Sequence, residues 1–298
     1  MAMFLSRMIL ALAVFAASTA TGNAASDDNS PVYCLDRGRD LVMRVARGAC
    51  RGEIVDQAVA DQVRQRRIQR IRGQINQESK LFPNRRRRGS GSGFFVASDG
   101  ALLTNEHVIA KCGAVSVQPM TGKPVPAEII QRDATADLAL LRVKLDLPDS
   151  SVAVFRDSPG RMGGGEISVV GYPLHGRVTI KPIFTQGRAI DAWLGGEARK
   201  GRFRIKADIR RGNSGGPVLD INGLVIGVVT AKINTPKMFQ TTGRVMRNIG
   251  IAISRETVLD FLKRHGIDYR TRMGGAPVAP DEIFTKARRF MARVLCWQ

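Results

Sequence analysis

Histidine is scarce in this chain, three in 298 residues. The three are scattered, and no two cysteines stand as C-x-x-C, so a metal centre built on clustered imidazoles and thiolates is not expected. Aromatic residues make up only 6%. The arginines are not interleaved with them as a base-stacking surface requires, so no specific nucleic-acid partner is expected. Beyond the first 25 residues no run is long and apolar enough to cross a bilayer as a helix. Acidic residues are in deficit, 26 against 46 Lys and Arg, which leaves a net charge of +20. A field of that size favours polyanionic surfaces such as anionic lipid, envelope polymers or nucleic acid, and is silent about fold.

The beginning of the chain reads as an export signal. Met1–Arg7 carries one positive charge, Met8–Ala17 is apolar, and Ala20–Ala25 is small and suited to a signal peptidase. A periplasmic or secreted location follows. Four cysteines suit that compartment, and four allow three pairings. Cys34 and Cys50 are close enough in sequence to staple a small helical hairpin, with Cys112 and Cys296 then tying the tail to the core. Free buried cysteines are the alternative.

Domain limits are read at 1–25 (signal), 26–88 (basic helical extension and linker), 89–270 (a folded core) and 271–298 (linker and C-terminal helix). Val32 to about Gln77 reads as helical. Ile54, Ala58, Val59, Val63, Ile68, Ile71 and Ile75 recur near a period of 3.6, with arginines over the other faces. Such a basic helix either packs on the core with a solvated face or docks on an anionic membrane or envelope surface. Arg85–Arg88 lies in a linker and is solvated. Asp281–Leu295 reads as a last basic amphipathic helix.

The core carries the chemistry. In Arg211-Gly212-Asn213-Ser214-Gly215-Gly216-Pro217 a serine stands among small residues whose backbone can turn sharply. That setting suits a nucleophile. The N–H groups of Gly212 and Ser214 are the candidates for an oxyanion hole. Val218-Leu219 and Leu224–Val229 flank an Asn222-Gly223 turn and read as a hairpin. Upstream, the runs around Ser98-Asp99-Gly100 make another hairpin, and Thr104-Asn105-Glu106-His107 follows at a strand end. His107 there can take a proton from a serine and return it. Asp137 is the one carboxylate at the head of an apolar run, and a buried charge needs a partner. An imidazole N–H is a suitable one. The order His107, Asp137, Ser214 is one of the known orders of a nucleophilic triad.

The stretches GSGFFVASDGALLTNEHVIA, ADLALLRV, GNSGGPVLDINGLVIGVVTA and NIGIAIS, from about Gly91 to Ser254, resemble the trypsin-like serine protease domain of the bacterial high-temperature-requirement type. The resemblance implies an all-β fold, a chymotrypsin-like double six-stranded antiparallel β-barrel, here with an N-terminal helical extension and C-terminal helices. It implies nucleophile Ser214, base His107 and orienting acid Asp137, an oxyanion hole at Gly212, Asn213 and Ser214, no cofactor, and protein or peptide substrates. Such proteins usually carry peptide-binding PDZ domains after the protease, and the stretch after Ser254 is too short for one. Ser254 is placed to cap a helix Arg255–Lys263 that Gly266 ends. For specificity the candidates are Asp208, which recognises basic side chains or serves the loop structurally, and Val229, Thr230 and Ala231, where a substrate strand would add. A medium aliphatic preference is favoured by resemblance alone. Two other functions fit parts of the pattern: a non-catalytic envelope-binding protein on a protease fold, and an esterase using the same triad.

Overall fold

The computed structural model describes residues 29–37, 40–120, 122–158, 165–174, 181–192, 201–232 and 248–298. The predicted signal at 1–25 lies outside them. The chain divides into two compact units, Met1–Val63 and Arg64–Gln298.

In the first unit, β1 (Pro31–Asp36), β2 (Leu41–Ala46) and β3 (Glu53–Val55) form an antiparallel sheet in the order β2-β1-β3. The helical reading of Val32 onward is therefore corrected. Val32, Tyr33, Val42 and Val45 are β-branched or aromatic and favour a pleated surface, and the disulfide Cys34–Cys50 staples a sheet. Helix α1 (Gln57–Leu81) starts only after Asp56, whose carboxylate accepts the Val59 N–H at 2.7 Å. Ile54, read as helical, lies in β3. Leu35, Val42, Ala60 and Val63 form a small core.

The second unit holds two barrels. The first uses β4 (Arg87–Phe95), β5 (Ala101–Thr104), β6 (Ala114–Pro119), β7 (Val125–Asp133) and β8 (Leu138–Arg142), with the one-turn helix α2 (Glu106–Ile109) after β5. Next along the chain come β9 (Val154–Arg156), β10 (Glu166–Gly171), β11 (Ile183–Ala192), β12 (Arg202–Lys206), β13 (Pro217–Leu219), β14 (Val225–Lys232) and β15 (Ile249–Ser254). Helix α3 (Arg255–Arg264), β16 (Arg270–Arg272), helix α4 (Pro280–Phe290) and β17 (Met291–Trp297) complete the chain. Strand order β17-β4-β5-β8-β7-β6 closes the first barrel. The ring β13-β10-β11-β12-β15-β14 closes the second through the β13–β14 pairing, with β9 and β16 added in parallel outside it. The expected pair of six-stranded antiparallel barrels is what is found.

Two further readings are corrected. The last helix ends at Phe290, not Leu295, and Met291–Trp297 is a fully buried strand seated between β4 and β6. Arg293, read as part of a basic helical face, is buried there and bonds Glu78 of α1 and Gln118 of β6. The arginine run is likewise not all linker: Arg87 and Arg88 open β4, and Arg87 pairs with Glu78 at 3.0 Å. The second disulfide, Cys112–Cys296, ties the segment after α2 to β17. Ser254 caps α3 as expected, accepting from the Thr257 N–H.

Candidate active site

Asp137 lies in the turn between β7 and β8 and adopts φ 58°, a left-handed conformation that aspartate tolerates better than most residues. The turn is held from both sides. The Asp133 carboxylate accepts the Ala136 N–H at 2.9 Å, and the buried Asn105 side chain donates to the Asp137 carbonyl at 2.8 Å. The Asp137 carboxylate thus faces α2. His107 Nδ1 lies 2.9 Å from each of its oxygens, and the His107 backbone N–H donates to Oδ1 at 3.0 Å. The Thr230 hydroxyl donates to Oδ2. Nδ1 is thereby assigned as the protonated nitrogen, which leaves Nε2 as a base. The Asp137 side chain is 14% exposed and that of His107 48%, so the acid is shielded while the ring reaches solvent.

Ser214 comes from the second barrel, in the run before β13. Two glycines make its loop possible. Gly212 (φ +95°) and Gly215 (φ +84°) sit where an added Cβ would fall 2.3 Å from the Tyr172 carbonyl oxygen and 2.1 Å from that of Ser92. The loop's peptides are pinned one by one. The Arg211 carbonyl accepts from the Leu174 N–H, that of Asn213 from the Gly216 N–H, and that of Ser214 from the Ser92 N–H. A trans peptide aims its N–H opposite its C=O. The N–H groups of Gly212 and Ser214 therefore turn away from these partners, and among the described residues neither has a backbone acceptor. The third predicted donor is engaged: the Asn213 N–H bonds the Arg210 carbonyl at 3.1 Å.

The Ser214 hydroxyl donates to the Thr230 carbonyl at 3.2 Å, and no hydrogen bond joins it to His107 among the described residues. The structure thus brings His107 and Asp137 together and links Ser214 to the pair through Thr230. Residues 91–228 of this chain match the Trypsin-like peptidase domain.

A protein of Sinorhizobium fredii named y4bJ is 35% identical over 70% of this chain and 32% of its own length. A probable periplasmic serine endoprotease, DegP-like, of Rhizobium meliloti is 33% identical over 66% of this chain and 37% of its own. This chain therefore spans about a third of these curated relatives. Among solved structures, an HtrA-type protease, AlgW, seen with a decapeptide, is 25% identical, with a TM-score of 0.49 over 59% of this chain and 51% of its own.

The other residues singled out in the peptidase domain take separate places. Asp208 is held by Arg210, whose Nε and Nη2 reach one carboxylate oxygen at 2.9 and 2.6 Å. Val229 is buried in the core of the second barrel, and its backbone is paired with Gly215 and Gly216. Thr230 sits at a bulge between β14 and β15 that re-aims its side chain, here onto Asp137. Ala231 lies in β14. Sequence reasoning missed Asn105, the role of Thr230, and Ser92. Asn105 alone carried a signal, as the residue two before the predicted base.

Proposed function

We propose that this chain is an exported serine endopeptidase. One observation carries the reading: an imidazole whose Nδ1 is fixed on a shielded carboxylate, beside a glycine-built loop that presents a serine with two outward N–H groups. Ser214 attacks the scissile carbonyl as its proton passes to His107 Nε2. The N–H groups of Gly212 and Ser214 receive the oxyanion and Asp137 steadies the imidazolium, which gives its proton to the leaving amine as the C–N bond breaks; water, giving a proton to His107 as it attacks, then releases the acyl group as the acid and restores the Ser214 hydroxyl. The reaction first requires the Ser214 hydroxyl to turn from the Thr230 carbonyl to His107, a closure that apo sites commonly complete only with substrate bound. Names of periplasmic endoproteases among the relatives support this reading and the predicted export signal at 1–25. The contact of two Arg210 nitrogens with one Asp208 carboxylate oxygen favours the structural role of that acid over recognition of basic side chains.

The test is labelling with a fluorophosphonate beside Ser214→Ala. Labelling of the wild type alone is expected; no labelling of either would sink the reading. Cleavage of casein separates an endopeptidase from an esterase that hydrolyses only p-nitrophenyl acetate.

A second property accompanies the first. Ile68 and Ile75 on α1 are 41% and 40% exposed, among the exposed Arg66, Arg70 and Arg72. Apolar residues flanked by cations suit the surface of an anionic bilayer or envelope. Co-sedimentation with phosphatidylglycerol vesicles is expected at low salt and not with phosphatidylcholine. Equal binding to both would remove the proposal.

A further inference from the structure

Ser92 belongs to the first barrel, yet its polar atoms serve the catalytic loop of the second. It is fully buried in β4. Its hydroxyl donates to the Gly212 carbonyl at 2.6 Å and accepts the Tyr172 N–H at 2.8 Å. Its backbone N–H donates to the Ser214 carbonyl at 2.8 Å, and its carbonyl accepts from the Thr104 hydroxyl at 2.7 Å. The peptide between Gly212 and Asn213 is thus clamped at both ends, by Ser92 on its oxygen and by the Arg210 carbonyl on its N–H. That peptide joins the two that carry the Gly212 and Ser214 N–H groups, so a turn of it would change how the two donors stand to each other and to the oxyanion position. The backbone half of the clamp is available to any residue; the hydroxyl half needs a side chain that donates and accepts at once, which alanine or glycine lacks.

We infer that Ser92 is a positioning residue for the oxyanion hole, acting through the Gly212 carbonyl, with no contact to substrate. The inference rests on the serine-hydrolase reading above and extends it to a residue outside the triad. Its signature differs from that of a residue that only stabilises the fold. Losing a whole oxyanion donor costs roughly 10²- to 10³-fold in turnover. Loosening one donor is expected to cost less, about 10- to 100-fold, and to fall on kcat while leaving KM within about twofold.

The experiment compares wild type, Ser92→Ala and Ser92→Cys in the full mature chain. Acylation by p-nitrophenyl acetate gives the kcat and KM split. Inhibition by phenylboronic acid, whose serine adduct places an oxygen in the hole, reports on the hole directly. In Ser92→Ala kcat and boronate affinity are expected to fall together, with the thermal transition still cooperative. Ser92→Cys, a weak donor, is expected between the two, and serves as the test if the alanine variant does not fold. Turnover and boronate affinity within threefold of wild type, in whichever variant folds, would overturn the inference. A wild type that neither labels nor turns over would instead overturn the hydrolase reading on which it rests.

Discussion

At the scale of single residues, the site depends on how fully the Asp137 carboxylate is held. It receives the His107 ring and backbone N–H groups and the Thr230 hydroxyl. A carboxylate so bonded orients the ring and stabilises its charged form. Asp137→Asn keeps the side chain's shape and tolerates φ 58°, so the fold is expected to survive. Turnover of p-nitrophenyl acetate is expected to fall roughly 10³- to 10⁴-fold, because the amide offers its NH₂ to the ring and selects the wrong tautomer. An unchanged rate would remove Asp137 from the mechanism. Thr230→Val deletes one donor to the carboxylate at nearly constant volume. Such a bond contributes about 1.5–3 kcal/mol, so kcat is expected to drop about tenfold or more with KM unmoved. Asp137 was legible in the sequence as a lone charge heading an apolar run. Thr230 was noticed only as a cleft-edge residue, since its aim depends on a bulge and on a partner 93 positions away.

At the scale of elements, legibility followed how local the determinants are. Helix α3 is specified within its own residues: Ser254 caps it and Gly266, at φ +63°, ends it. The sequence reading found both, and Ser254→Ala is expected to cost about 1 kcal/mol of stability. The same first turn makes a pH prediction. Partial burial of Glu256 acts to raise its carboxyl's pKa, but bonds from its own backbone N–H and from Arg255 outweigh it, and the group lies below its ordinary 4.5. A depressed folded pKa means that the stability is present above about pH 4.5 and is lost as pH falls through the folded value. In acid melts wild type is expected to lose more Tm than Glu256→Gln over that window, and parallel curves would refute it. Strand β17 was misread for the opposite reason. Its partners are remote: β17 lies between β4 and β6, and the spacing of Arg288, Arg289 and Arg293 imitates a helical face. Only the tertiary partner, Glu78, distinguishes a buried arginine from a solvated one.

That partner sets the question for the whole molecule. With a net charge of +20, a buried arginine adds to an already repulsive field unless a carboxylate meets it. Burial pushes the Arg293 pKa below its ordinary value while the Glu78 carboxylate opposes the shift. Glu78 and Arg293 are 2% and 3% exposed, and Arg87 and Gln118 complete the cluster. The pair thereby fastens α1 to three strands of the first barrel, the barrel that carries His107. Breaking a buried pair from one side leaves an unpaired charge in a poorly polarisable interior, at roughly 3–5 kcal/mol. Replacing both members by apolar side chains of similar volume is often neutral. Glu78→Leu alone and Arg293→Met alone are therefore each expected to lower the denaturation midpoint strongly. The double variant is expected to recover most of the loss, giving a coupling energy of at least about 2 kcal/mol in a double-mutant cycle. Additive losses would mean that the two charges are stabilised independently, Arg293 by Gln118 and Glu78 by Arg87. The helix would then be held to the barrel by the Arg87 contact instead.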